Sequence, residues 1–421
     1  MLVIKNGRYI NPATREDTET DILIDRGVVK LMNMGLTYAN ADEIDAKGMI
    51  IAPGLVDTHA HFREPGFEYK ETIRTGADAA KRGGYTTVVL MANTYPPVDN
   101  VSTLKYILEE GRWTNININS VACVTEGMKG EKVVDMFTLR EAGAVAFSDD
   151  GFTITDEKIL KKAMRDAAAF ERPICLHEEN PRYVKTAGIN KGYASETLGV
   201  KGACRKAEIT QIKRDLDLAL DTGATVVIQH ISTKEGVDLV RQAKKYNPLI
   251  YAEAAPHHFS LTEETLIEKG ANAKVNPPLR TEDDRLAIIE GLQDGTIEII
   301  ATDHAPHTAA CKNGRLSVVD SGMIGLETAL SLGIKELVYP GYLTINELIE
   351  KMSTNPAKIY NLDAGNSGKG RRADFVIFDM FDSWKVENFA SFSRNSPFIG
   401  ETLPGIVHYT ICKGQVVYSR E

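Results

Sequence analysis

Eight short apolar runs recur along the middle of this chain with helical patterns between them, and that alternation is what most limits the folds open to it. The runs cover residues 50–56, 86–91, 116–124, 144–147, 173–176, 225–228, 249–254 and 297–301. Amphipathic segments such as 72–82, 157–170 and 207–220 lie between them and carry apolar residues at helical spacing. Eight strands with crossover helices are what an α/β protein of the (β/α)8, TIM-like barrel type requires. An open doubly wound sheet is the alternative, but no G-x-G-x-x-G or Walker pattern supports it. Gly368-Lys369-Gly370 precedes a strand and lacks the phosphate-loop spacing.

Both ends read differently from the middle. Leu2-Val3-Ile4, Thr20-Asp21-Ile22-Leu23-Ile24 and Gly27-Val28-Val29-Lys30-Leu31 are short strands punctuated by turns at Lys5-Asn6-Gly7 and Asp25-Arg26-Gly27. Residues 373–378, 407–411 and 416–418 repeat that pattern around the turn Cys412-Lys413-Gly414. Strand-rich ends around a mixed middle suggest that the two termini build one β domain together. The chain is long enough for this, since 421 residues accommodate a barrel of about 250 residues and an accessory domain.

Polar residues follow the apolar runs with consistent placement. The first run leads into Asp57-Thr58-His59-Ala60-His61, where positions i and i+2 of a strand face the same way, so both imidazoles can reach one metal ion. Asn93 follows the second run, Asp149-Asp150-Gly151 the fourth, His177 the fifth, His230 the sixth and Asp303 the eighth. Eight of the nine histidines lie at or just after such ends, His408 being the exception. Barrel chemistry gathers where strands end, so these residues converge. Four histidines (His59, His61, His177, His230) and two aspartates (Asp150, Asp303) exceed the three or four ligands of one ion, and point to two ions bridged by a carboxylate. Nitrogen and oxygen donors without thiolate suit zinc, with manganese or cobalt as alternatives. His257, His258 and His304 read as packing or hydrogen-bonding residues.

Charge and cysteine content narrow the partners. A formal charge of −9 with no clustered Lys/Arg excess argues against nucleic acid, and an acidic substrate must be met by local cations. Five scattered cysteines without C-x-x-C spacing indicate neither a disulfide framework nor a zinc ribbon. The start Met1-Leu2-Val3-Ile4-Lys5-Asn6-Gly7 turns polar too quickly for a signal peptide, and no apolar run reaches the length of a membrane span. The expectation is a cytoplasmic protein with no membrane partner.

Four blocks carry a resemblance. Residues 53–66, running Pro-Gly-Leu-Val-Asp-Thr-His-Ala-His-Phe-Arg-Glu-Pro-Gly, with Met91-Ala92-Asn93-Thr94, Asn276-Pro277-Pro278-Leu279-Arg280 and Ala301-Thr302-Asp303-His304-Ala305-Pro306-His307, resemble the signature blocks of the dihydroorotases, in the amidohydrolase superfamily. The resemblance spans nearly the whole chain. It implies a (β/α)8 barrel over residues 53–364, and a small β-sandwich domain built discontinuously from 1–52 and 365–421. It implies two zinc ions, with His59, His61, Asp150 and Asp303 holding one and Asp150, His177 and His230 the other. It further implies reversible interconversion of N-carbamoyl-L-aspartate and L-dihydroorotate in pyrimidine synthesis, with a hydroxide between the metals as nucleophile and Asp303 as general acid and base. Arg63, Asn93 and His307 resemble the residues that hold the substrate carboxylate, beside His61, while Asn276, Ser321 and Gly322 resemble those meeting the ring. A homodimer and association with aspartate transcarbamoylase also follow from the resemblance.

Two departures refine it. Hydantoinases, allantoinases and dihydropyrimidinases usually carry a metal-bridging lysine after the fourth strand, where this chain has Ser148-Asp149-Asp150-Gly151. After His307, residues 308–322 lack the acidic-lysine stretch and the Pro-Phe of relatives, and the segment reads as a mobile loop over the site. Another cyclic amidase and a non-catalytic partner of aspartate transcarbamoylase are the competing readings.

Overall fold

A computed structural model describes residues 1–420. Fifteen strands form three sheets. The first five strands are β1 (Leu2–Asn11), β2 (Glu16–Asp25), β3 (Val28–Met32), β4 (Asp42–Asp45) and β5 (Ile50–Pro53). Next come β6 (Leu55–Ala60), β7 (Tyr85–Leu90), β8 (Asn117–Ser120), β9 (Ile174–Leu176), β10 (Val226–Ile228), β11 (Ile250–Ala254) and β12 (Ile299–Ile300). The chain ends with β13 (Phe375–Lys385), β14 (Thr402–Cys412) and β15 (Gln415–Ser419).

The largest sheet takes its strands from both ends of the chain, in the order β15-β14-β13-β5-β1-β2-β3, with β4 also paired to β1. Its seam is β5, parallel to β1 through Tyr9 and Ile51 and antiparallel to β13 through Ile51 and Ile377. Two hairpins are closed by the turns read from sequence. Arg26 and Gly27 have φ of 51° and 76°, and Lys413 and Gly414 have 53° and 76°, the positive pair that matches the twist of the strands they join. One face of the sheet packs its own core of Ile4, Tyr9, Ile22, Ile51, Phe375 and Ile377, all fully buried.

The remaining strands pair in parallel, as β6-β7-β8 and as β9-β10-β11-β12. Isolated bridges link the two sets: Phe147 pairs with Ala122 after β8 and with Ile174 in β9, and His304 after β12 pairs with Ala60 in β6. The pairings therefore run in a cycle. Every residue of β6 and β7 is buried, as expected for parallel strands covered on both faces. Helices Ile73–Arg82, Glu157–Ala168 and Lys206–Thr222 fall where the periodicity places them. Thr72 and Asp156 cap the first two by accepting backbone N–H bonds, and Gly223, with φ of 67°, ends the third.

Two apolar runs behave differently from expectation. Residues 50–56 are two strands: the chain leaves the large sheet at Gly54 and enters β6. Residues 144–147 form no named strand, because Gly143 (φ 117°) and the turn at Asp149 leave room only for bonds such as Val145 N–H to Ser120 O and Phe147 N–H to Pro173 O, both 3.1 Å. Gly54 is wedged at the crossing. Its N–H donates to Asp374 O at 2.9 Å and its carbonyl accepts from Ser353 Oγ at 2.8 Å. A Cβ there would lie 2.8 Å from Thr86 Cβ and closer still to its Oγ1 and Cγ2. Gly54→Ala is therefore expected to lower unfolding free energy by about 1–3 kcal/mol, read as a shift of the urea midpoint at unchanged slope.

Candidate active site and metal centre

The strand ends deliver the site residue by residue. His59 lies in β6 and His61 just beyond it, with ring centroids 5.3 Å apart, as the two-residue repeat requires. Asp150 follows the Phe147 bridges, His177 follows β9, His230 follows β10 and Asp303 follows β12. His230 (φ 33°) and Asp303 (φ 46°) hold left-handed backbone, a strained conformation for such side chains. Neighbouring bonds fix it: Ile231 N–H donates to Glu253 O at 3.0 Å, and His61 N–H to His304 O at 2.8 Å.

Asp150 is the hub. Its Oδ1 lies 3.6 Å from His59 Nε2, 3.4 Å from His177 Nδ1 and 3.4 Å from His230 Nε2, and its Oδ2 lies 3.5 Å from His61 Nε2. Asp303 Oδ1 sits 3.1 Å from His61 Nε2 and 3.7 Å from His59 Nε2. Two sets, His59-His61-Asp150 and Asp150-His177-His230, each bring their donor atoms within 4.8 Å of one another. Ligand atoms about 2.0–2.2 Å from one tetrahedral ion stand roughly 3.4 Å apart, which matches these separations. His59 Nε2 is buried without a hydrogen-bond partner and faces both carboxylates. These His/Asp clusters fit divalent metal ions.

The electrostatics agree with that fit. Burial works against charge on His59, yet the Glu253 and Asp150 carboxylates raise its pKa well above the usual imidazole range. His177 is likewise pushed up to about 10, against burial, by Asp150 and Glu179. Asp150 is held far below the ordinary carboxylate range by the histidines around it, despite its burial. The buried carboxylates thus create a field that draws positive charge inward.

One cavity of about 180 Å3 opens onto this cluster. It is lined by His61, Asp150, His177, His230 and Asp303 and also by Arg63, Asn93, Asn276, His307, Ser321 and Gly322, so every residue expected to hold metal or substrate except His59 borders it. His59 is fully buried beneath. Asn93 Oδ1 lies 2.9 Å from His61 Nδ1, and its Nδ2 donates to Asp150 O at 3.2 Å. Arg63 donates to Pro306 O at 3.3 Å, with Nη2 3.4 Å from His307 Nε2. Asn276 Oδ1 accepts from Gly188 N–H at 3.1 Å. His258 Nε2 reaches Pro277 O at 3.0 Å, and His304 Nδ1 accepts from Gly325 N–H at 3.1 Å.

Residues 308–322 differ from the mobile loop expected of them. Lys312 Nζ donates to Asp320 O at 2.9 Å, Lys274 Nζ to Val319 O at 2.7 Å, and Lys70 Nζ to Asp320 Oδ2 at 2.9 Å. Lys70 and Lys274 tie the segment to residues outside it, Lys312 within it also donates to Lys274 O at 3.3 Å, and the bonds of Lys274 and Lys312 end on backbone carbonyls, which sequence patterning does not reveal. Asp320 Oδ2 also lies 3.0 Å from His307 Nδ1. His307, Cys311 and Asp320 form a third close grouping, but Lys70 lies against it, and that cation opposes a metal ion there.

Sequence reasoning missed the residues that aim the ligands. Glu253 Oε1 meets His59 Nδ1 at 2.5 Å, fixing the ring so that Nε2 faces the carboxylates. Asp57 accepts from Thr302 Oγ1 at 2.5 Å, Thr302 N–H at 3.0 Å and His59 N–H at 3.2 Å, tying the end of β12 to β6. Burial raises its pKa to about 7, with those bonds opposing. A signal was available: Glu253 and Asp57 are lone carboxylates inside apolar strands, where burial demands a partner.

The chain belongs to the amidohydrolase family, whose model matches residues 50–417, and with its full-length dihydroorotase relatives that makes it a hydrolase of cyclic amides. Its relatives narrow the class. A protein of Clostridioides difficile named dihydroorotase is 49% identical over 423 residues, covering 100% of both chains. A dihydroorotase of Clostridium acetobutylicum is 49% identical, covering 99% of each. Among solved structures, the L-hydantoinase of Arthrobacter aurescens superposes with a TM-score of 0.89 at 24% identity, covering 99% of this chain and 96% of that one. The D-hydantoinase of a Thermus species reaches 0.86 at 22% identity, covering 99% and 95%. At those identities the likeness speaks for the fold.

Glu253→Gln keeps shape and removes charge. It is expected to weaken metal binding about 10- to 100-fold, measured by chelator competition on the folded protein, with the far-ultraviolet circular dichroism unchanged.

Proposed function

We propose that this chain catalyses the reversible cyclisation of N-carbamoyl-L-aspartate to L-dihydroorotate, with water as the second product. One observation carries the reading: a single small cavity is bordered on one side by the carboxylate-imidazole cluster and on the other by Arg63, Asn93 and His307. The 49% identity to dihydroorotases over full length supports it. The cyclic strand pairings are read as a (β/α)8 barrel over 53–364, and the large sheet as a β-sandwich domain of 1–52 and 365–421. A homodimer, a cytoplasmic location and association with aspartate transcarbamoylase belong to the same proposal through the resemblance.

Two zinc ions are assigned to the clusters, His59, His61, Asp150 and Asp303 for one and Asp150, His177 and His230 for the other. When bound, such ions supply Lewis acidity at the ring carbonyl and a nucleophile at neutral pH. The histidines and the hub carboxylate hold their positions through the bonds described above. Asp303 is the proton carrier. His61, His59 and His230 keep its carboxylate ionised, against the opposing effect of burial, so it can accept a proton at neutral pH. In the hydrolytic direction it takes the proton released on attack and passes it to the departing ring nitrogen, and ring closure runs these transfers in reverse.

The other wall orients the substrate. Arg63 offers a planar fork to its carboxylate. His307 is kept neutral, pushed down to about 2 by burial and by the charges of Arg63 and Lys70. With Nδ1 facing Asp320 and Nε2 facing Arg63, its tautomer is set by its neighbours. Asn276, Ser321 and Gly322 face the ring. An aspartate at position 150, where hydantoinases usually carry lysine, favours this substrate over hydantoin.

Side-by-side turnover of dihydroorotate, dihydrouracil and hydantoin by the metal-loaded protein tests the reading. Dihydroorotate is expected to be by far the best substrate, and faster hydrolysis of either of the others would sink it. Asp303→Asn is expected to lower kcat by about 100-fold or more while metal remains at Asp150, His177 and His230. Asp320→Asn, which loosens His307, is expected to raise KM for dihydroorotate severalfold and leave kcat nearly unchanged, as measured by steady-state kinetics.

A further inference from the structure

A second, larger cavity lies outside the site described above. About 880 Å3 in volume, it is roughly five times the size of the 180 Å3 catalytic cavity. Its rim carries Arg182, Lys185, Lys191, Lys201 and Lys206 against a single carboxylate, Glu196. In a chain of net charge −9 this is a local inversion of sign. Cations nearby are paired: Arg205 bonds Glu235 and Asp284, and Lys213 bonds Asp217 at 2.9 Å. None of the five rim cations has an ion-pair or side-chain hydrogen-bond partner among the described residues.

The walls are held in place. Lys191 N–H donates to Ala203 O at 2.9 Å, and Cys204 N–H to Tyr183 O at 3.0 Å, folding residues 181–206 back on themselves. Beneath them, buried Glu263 accepts from Asn190 Nδ2 at 3.1 Å and Ala194 N–H at 3.0 Å, and buried Arg280 donates to Asn190 Oδ1 at 2.8 Å. The side chain of Tyr183, half-exposed, and that of Val200 give the cavity apolar surface beside its charge.

We propose that this cavity binds a small phosphorylated compound bearing a planar ring, of nucleoside-diphosphate size. Five unpaired cations around one concavity suit several negative charges in a compact group, more than a single carboxylate supplies. The volume falls within the range of small-molecule sites, about 300–1,000 Å3. Tyr183 offers a ring face that phosphate alone does not use. The cations ring a pocket instead of forming a stripe, which separates this site from a nucleic-acid surface. The same segment contains Gly188, whose N–H holds Asn276 in the catalytic cavity, so the two cavities share a wall.

Isothermal titration calorimetry of the full chain at low salt, with ADP and with inorganic pyrophosphate, tests this without reference to turnover, so its outcome is separate from that of the proposed activity. Both probes are expected to bind with Kd below about 1 mM, ADP more tightly. The double variant Lys185→Gln/Lys201→Gln, checked by circular dichroism for intact folding, is expected to bind each about tenfold more weakly. Binding or metal loss at the catalytic centre would be the same in both proteins, so the difference between them reports the cavity. Tyr183→Ala is expected to weaken ADP and spare pyrophosphate. Equal affinity in the double variant and the unaltered chain, or no binding of either probe, overturns the site. Equal affinity for both probes, unmoved by Tyr183→Ala, overturns the ring and retains the phosphate.

Discussion

The buried carboxylate of Asp150 is the constraint around which this structure is organised. Four imidazole nitrogens stand 3.4–3.6 Å from its two oxygens, brought by three strand ends, those of β6, β9 and β10. A lone carboxylate at such depth is costly unless opposite charge surrounds it. The cluster is suited to a cation, and the fold brings residues from 59 to 303 together around that place. That convergence explains the strained backbone of His230 and Asp303 and the placement of Glu253 and Asp57 under the histidines.

Charge is also apportioned across the catalytic cavity. One side carries the Asp150 and Asp303 carboxylates, and the opposite rim carries Arg63 and, behind it, Lys70. Between them a substrate with a carboxylate and a polarisable amide is oriented by sign alone before any close contact is made. Asp320 tempers the positive rim, accepting from Lys70 and meeting His307 on the same oxygen. An acidic chain can thus present a cationic face to an acidic ligand over a few ångströms.

Much of this was legible in the residues. The His-x-His pair, Asp150, His177, His230 and Asp303 stand at the ends of apolar runs, and parallel strands buried on both faces make such runs conspicuous. The strand-rich termini announced a shared sheet for the same reason. What escaped was set by partners distant in sequence. Residues 144–147 look like a strand but bridge only at Phe147, because their length is fixed by Gly143 and by the turn at Asp149. The run 50–56 hides a change of sheet at Gly54 that only Thr86 and Asp374 impose. Of the lysine bonds that hold 308–322, those of Lys274 and Lys312 end on backbone carbonyls, which leave no trace in composition.

The large sheet has a consequence for how the chain comes into being. Strand β5 joins directly to β6, which carries His59, yet its neighbour on one side is β13, and about 320 residues separate the two. On a ribosome adding about 5–20 residues per second, the open edge of β5 waits roughly 16–64 s for that neighbour. Throughout that interval an unpaired strand edge adjoins His59 and His61, a template for pairing with the wrong chain. Strand β13, made long after β5, thus shields an edge laid down early, and the order of synthesis runs against the order of the sheet.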